Sequence, residues 1–259
     1  MNVALRPAQA WRVAALTMMD PDELHRILSG DLSDAASWVE AAAACGLAEA
    51  QIRLGRMLLE GEGVAKDPHG AFACFFCAAN SGDADAQNML GRCYENGWGT
   101  HVDLSSAVQC YRRAADAGLA WAQYNLGHML LDGVGITRDR DAAFVWYMRA
   151  AEQGHARAMN LVARCYEEGW GADRNLPAAR RWYRKSAEGG YFRGAYNYAS
   201  ILVGEGCIDG AAIWFERALA AAPEPTHGNI LRMLARHENS RLRTIAPRTS
   251  QQSCENGPD

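Results

Sequence analysis

Arg56, Arg92, His128 and Arg164 stand 36 residues apart in one register. Two further sets run beside them: Arg53, Asn125 and Asn197 in one, and Asn88, Tyr124, Asn160 and Tyr196 in the other. A guanidinium is a planar fork of N–H donors suited to carboxylates. A carboxamide offers a donating and an accepting edge, the pair that a peptide unit also carries. Rows of such groups, about 10 Å apart on neighbouring packed helices, suit an extended peptide held by its main chain and its acidic side chains. The same arginines have local partners too: Arg56 can pair with Glu60, and Arg92 with Glu95 or Asn96, one helical turn on. On residues alone both uses remain open. Trp98 and Trp170 lie between paired glycines, where a large aromatic serves either as an anchor for a partner or as packing on the neighbouring turn.

Other chemistry finds no such support. Cys74 and Cys77 form a CxxC, but zinc wants four ligands, and neither a second CxxC nor a paired histidine answers them. The glycine turns lack the order of phosphate loops, and no HExxH or GxSxG occurs. Nothing in the order of the seven histidines sets one against a cysteine. The expectation is therefore no catalytic residue, no metal ligand and no cofactor.

The elements that must hold the rows in place follow the same period. Gly46, Gly82, Gly118, Gly154 and Gly190 are evenly spaced, and so are Ala50, Ala86, Ala122 and Ala158, and Leu54, Leu90, Leu126 and Val162. A second block repeats Ala71, Ala107, Ala143 and Ala179, then the aromatic column Phe75, Tyr111, Tyr147 and Tyr183, then the small pairs at 78–79, 114–115, 150–151 and 186–187. Steps of three and four place each block on one stripe of a helix. GEGV, GWGT, GVGI and GWGA separate the blocks, and glycine supplies the left-handed conformation that stops a helix. Asp67, Asp103, Asp139 and Asn175 come just before the second helices, as N-caps. Each unit thus reads as helix, glycine turn, helix. Small columns let helices approach closely, and stacked units leave a curved face lined by the first helices.

The order Ala122, Leu126, Gly127, Gly133, Gly135, Asp139, Ala142-Ala143, Trp146-Tyr147 and Ala150-Ala151 resembles the Sel-1-like repeat, a relative of the tetratricopeptide repeat. The resemblance covers about residues 31–222. It implies an all-α fold, a right-handed α-α superhelix or solenoid of about five helix-turn-helix repeats with helical caps. It also implies that the rows of Arg, Asn, Tyr and His line a concave groove. The expected boundaries are an N-terminal helical cap at 1–30, the array at 31–223, a capping helix at 224–243 and a disordered tail at 244–259. The fifth unit is shorter, since Trp214-Phe215 follows Trp182-Tyr183 by 32 residues.

Composition narrows the partners. With 49% hydrophobic and 22% charged residues the chain is that of a folded protein, and its formal charge of −4 gives no whole-molecule pull toward nucleic acid. A nucleic-acid reading would rest only on Arg232, Arg236, Arg241, Arg243 and Arg248. No stretch approaches 18 apolar residues, so no membrane span is expected. The N-terminal residues, interrupted by Arg6, Pro7 and Arg12, do not read as a signal peptide. Eight irregularly spaced cysteines then fit reduced thiols in the cytoplasm. The expected function is a non-enzymatic scaffold that binds a protein or peptide, with acidic groups, through the groove. The alternative is a small anionic ligand, or an enzymatic site, in a pocket at Arg92, His128 and Arg164.

Overall fold

The computed structural model describes Asp20 and residues 32–245. The expected cap at 1–30 and tail at 244–259 fall outside these residues, apart from Asp20, Thr244 and Ile245. Among the described residues every regular element is a helix. The chain divides into two compact units, Met1–Arg138 and Asp139–Asp259.

The first unit runs α1 (Leu32–Ala44), α2 (Ala48–Glu60), α3 (Pro68–Asn80), α4 (Ala84–Asn96), α5 (Leu104–Asp116) and α6 (Ala120–Asp132). Each helix packs on the one before it. The second unit runs α7 (Arg140–Glu152), α8 (Ala156–Glu168), α9 (Leu176–Glu188), α10 (Phe192–Gly204), α11 (Ile208–Ala221), α12 (Thr226–Ala235) and the short α13 (Ser240–Arg243). Here too neighbours in the chain are neighbours in space, and α8 also meets α10. Ile245 is buried in the core of this unit beside Leu242 and Leu234.

The caps fall where the residue types place them. Asp67, Asp103, Asp139 and Asn175 each accept the N–H three residues on, at 3.0, 3.1, 2.9 and 2.9 Å, and each such cap contributes about 1 kcal/mol. Three of these residues also donate their own N–H backwards: Asp67 to Leu58, Asp103 to Tyr94 and Asn175 to Tyr166, at 2.8–2.9 Å. One residue therefore closes one helix and opens the next.

The small columns explain how the helices meet. Phe75, Tyr111 and Tyr147 are fully buried and Tyr183 nearly so. Burial of each ring contributes about 1.5–3 kcal/mol. A methyl group added at Gly91 would lie 2.7 Å from the ring of Tyr111. That glycine is thus needed for space, inside a helix where its conformation is ordinary. The paired glycines of the turns differ from it. Gly97 and Gly99 both have left-handed φ, +71° and +69°, but only at Gly99 would a Cβ strike backbone, 1.9 Å from the carbonyl oxygen of Pro68. The turn thus lies on the start of α3, where the His69 ring donates from Nδ1 to the Gly99 carbonyl at 2.8 Å.

The two glycines share a backbone demand and differ in the contact, so alanine at each separates the two costs. Gly97→Ala is expected to lose about 1–2 kcal/mol for the left-handed conformation, and Gly99→Ala about 1–3 kcal/mol more for the collision. Urea denaturation of the two variants measures the difference, and equal losses would show that the turn does not rest on α3.

Candidate functional site

The faces of α2, α4, α6, α8 and α10 that carry the rows are polar for two distinct reasons, and the geometry sorts them. The carboxamides are spent in pairs. In the first unit Asn125 donates from Nδ2 to Oδ1 of Asn88 at 2.9 Å. In the second, Asn197 donates to Asn160 in the same way and at the same distance. Asn88 and Asn160 are only 7% exposed, so these bonds tie adjacent first helices together and satisfy groups that would be costly to bury alone. Each pair uses one donor and one acceptor of the four groups present.

The arginines stay outside. Arg56, Arg92 and Arg164 are exposed and Arg53 half-buried. Neither of the acids within a turn is paired with Arg56 or Arg92 in an ion pair. Arg92 instead lies over the ring of Trp98, 4.9 Å from its centre, and Nη1 approaches the Met89 sulfur at 3.7 Å. Glu95 is taken by the hydroxyl of Tyr111 at 2.5 Å, and Asn96 donates to the backbone carbonyl of Arg92 at 2.8 Å. Arg164 lies over Trp170 at 4.8 Å, with Arg140 also stacked on that indole at 5.4 Å. Both tryptophans are half-buried, which favours packing for them, with guanidinium groups as the material packed on.

Tyr124 and His128, both half-buried, meet edge to face with ring centres 4.7 Å apart. Burial lowers the pKa of the His128 imidazole. Trp121 extends the row, its ring 6.1 Å from Tyr124 and 45% exposed. Sequence reasoning passed over Trp121 because its column, Glu49, Asp85, Trp121, Arg157 and Arg193, varies in chemistry while keeping the period. It also passed over Gln51, Gln87 and Gln123, whose Nε2 groups donate to the carbonyls of Ala43, Ala79 and Ala115 at 3.2, 2.9 and 3.3 Å. Those bonds pin the starts of α2, α4 and α6 to the ends of α1, α3 and α5.

A longer period emerges from these bonds. Asn88, Arg92, Cys93, Glu95, Trp98, Tyr111, Tyr124 and Asn125 recur as Asn160, Arg164, Cys165, Glu167, Trp170, Tyr183, Tyr196 and Asn197, each 72 residues on. Tyr183 donates to Glu167 at 2.5 Å, as Tyr111 does to Glu95. Each compact unit thus holds one copy of the same polar arrangement. The copies differ beside it: Trp121 corresponds to Arg193, and His128 to Ser200.

Tyr196 in the second copy lines a cavity of about 200 Å³ between α10 and α12, with Phe192, Arg193, Thr226, Asn229, Ile230 and Met233. Three of the C-terminal arginines are engaged locally: Arg232 with Asn229, Arg241 with Asp209 at 2.9 Å, and Arg243 with the carbonyls of His237 and Glu238.

Among the described residues no three of His, Cys, Asp and Glu gather in a metal-binding group. The seven described cysteines are free. Burial raises the pKa of the Cys74 thiol to about 11, with Cys77 adding to the rise, which is the reverse of what a reactive thiolate needs. The CxxC occupies the places that Trp146 and Arg149 fill in α7, where the guanidinium lies 4.5 Å from the indole.

Two outcomes test these assignments. Glu95→Leu strands the buried hydroxyl of Tyr111 and is expected to cost about 1–3 kcal/mol. Adding Tyr111→Phe should restore most of it, since Phe75 and Leu59 occupy those two places in the hairpin before. A double-mutant cycle by urea denaturation reads the coupling. His155 caps α8, its Nδ1 accepting from Ala158 at 3.2 Å. Burial, with the charge of Arg157, lowers its pKa to about 4. Between an unfolded value of about 6.5 and 4, the unfolded chain binds a proton that the folded one refuses. Stability is therefore intact above pH 6.5 and declines as pH falls through that window. His155→Asp, which keeps a cap as Asp83 does for α4, is expected to flatten that decline in thermal melts, leaving a smaller slope of the same sign from His128.

Comparisons with known proteins agree with this architecture. The family model described as Sel1 repeat matches residues 48–83, 84–119, 122–155 and 156–191. No curated protein matches the chain at a significant level. Among solved structures, a Sel1 repeat protein from Oxalobacter formigenes is similar with a TM-score of 0.78 and 25% identity, over 92% of this chain and 100% of that one. A protective antigen present in uropathogenic Escherichia coli strains, displaying an SLR fold, gives a TM-score of 0.73 at 26% identity. That match covers 97% of this chain and 56% of the antigen. An immunity protein from Pseudomonas aeruginosa, at 17% identity and a TM-score of 0.51 over 79% of this chain and 81% of its own, shares the fold.

Proposed function

The chain belongs to the Sel1 repeat family, and from that premise we propose that it is a non-enzymatic scaffold that binds a protein or peptide along the faces of its first helices. The observation that carries this reading is the treatment of Arg92 and Arg164. Each rests its guanidinium face near an indole, and stacking of that kind leaves the N–H edge available for a carboxylate. The partner surface therefore favours acidic groups. One helical turn before each arginine stands the bonded carboxamide pair, and we count with it the neighbouring tyrosine, which gives a polar patch of Asn88, Asn125 and Tyr124 in the first unit and Asn160, Asn197 and Tyr196 in the second. Arg53, Arg56 and His128 extend the first of these.

No described helix is long and apolar enough to cross a membrane. Free thiols throughout the described chain fit the reducing cytoplasm, where this reading places the protein.

The arginines and tyrosines of the patch can be removed without touching the structural carboxamides. Affinity capture from native extract with the wild type is expected to retain a partner that is lost, or weakened about tenfold or more, by Arg92→Ala with Tyr124→Ala, by Arg164→Ala with Tyr196→Ala, or by both pairs. Circular dichroism confirms the fold of each variant. Unchanged capture by well-folded variants of both units would defeat the reading.

A further inference from the structure

The two copies of the polar arrangement differ where they border other groups, and at the second copy a cavity lies beside the tyrosine. That cavity, about 200 Å³, has a floor and walls of Phe192, Tyr196, Ile230 and Met233, with Arg193, Thr226 and Asn229 completing it. Pockets for whole small molecules run from about 300 Å³ upward, so this one is of a size for a single large side chain. Its electrostatics are one-sided. Neither α10 nor α12 contains an acidic residue. Of the acids just outside them, Glu205 is paired with Arg180 at 2.9 Å and Glu224 with His227 at 3.1 Å. Arg193 is exposed, its guanidinium 5.6 Å from the Phe192 ring.

We propose that the cavity between α10 and α12 anchors one leucine, methionine or phenylalanine side chain of a partner peptide whose flanking residues are acidic, with Arg193 reading the acidic flank. The occupant is a segment of another protein. Residues 246–259, APRTSQQSCENGPD, supply neither a large aliphatic nor an aromatic side chain, so that segment does not provide the anchor. Apolar burial supplies the attraction. The charge supplies selectivity, since a lysine-flanked peptide of the same core would set like charge against Arg193. This inference rests on the scaffold reading above and specifies what the second unit recognises.

Fluorescence polarisation with a synthetic nine-residue peptide library tests it on the full chain. The library holds a central Leu, Met, Phe or Ser and flanks of Asp and Glu, of Ser, or of Lys. The expected result is at least tenfold tighter binding of acidic over Lys flanks, and of Leu, Met or Phe over Ser at the centre. Arg193→Glu, at an exposed position, should reverse the flank preference and keep the central one. Asn229→Trp, which fills the cavity from an exposed position, should abolish binding, while thermal melts show both variants folded. The inference is overturned if no library peptide binds, if both variants bind as the wild type does, or if Asn229→Trp instead changes the sedimentation coefficient, which would make a second copy the occupant. The scaffold reading is decided separately, by partner capture with the Arg92→Ala, Tyr124→Ala variant, which leaves every residue of the cavity in place. Loss of capture there together with no effect of Arg193→Glu or Asn229→Trp would leave that reading standing and remove this one.

Discussion

Tyr111 packs against Gly91 so closely that the smallest side chain there would press on its ring. The ring is wide enough to fill the gap between two helices only because the facing backbone is bare, and the fully buried alanines at 114 and 115 allow the same closeness on the other side. The hairpin of α4 and α5 relies on this trade of volume between its two members. Phe75 meets Gly55 in the same way, and Ala163 stands across from Tyr183 at the corresponding place. Between these paired helices Asp67, Asp103 and Asn175 cap the second helix and bond back to the first, and the first helices carry the polar rows on one face. The polar face is a by-product of how the core is filled.

Much of this was readable in the residues. The period, the stop at each glycine and the caps at Asp67, Asp103, Asp139 and Asn175 are local events with local signals, and the structure places them as the types require. The site was harder, for a physical reason. Asn88 and Asn125 belong to different columns of different hairpins, 37 residues apart, so comparing like with like within a column hides their bond. The same holds for the cap that His155 provides, where an imidazole does at one repeat what aspartate does at another. Chemistry conserved through unlike residues leaves no mark in a register of identities.

The 72-residue period shows that the natural unit of the polar face is a pair of hairpins. A bond between adjacent first helices needs both of them and the second helix between, so the smallest set that closes its own carboxamide pair and tyrosine hydroxyl is three helices, α4 to α6 or α8 to α10. Each compact unit contains one such set, which closes its carboxamide pair and its tyrosine hydroxyl with its own residues. Differences between the sets at Trp121 and Arg193, and at His128 and Ser200, then alter what is displayed without disturbing what is bonded.

The tryptophans in the turns bear on the speed and cost of recognition. A long cationic side chain that swings freely in water must be frozen when it meets an anion, at about 0.5–1.5 kcal/mol for each one immobilised. Arg92 and Arg164 lie against indole rings with no partner bound, so part of that freedom was already surrendered when the chain folded. On the proposed scaffold reading, a ligand arriving there meets charges held in place, and its affinity is diminished less by ordering than a mobile arginine would demand.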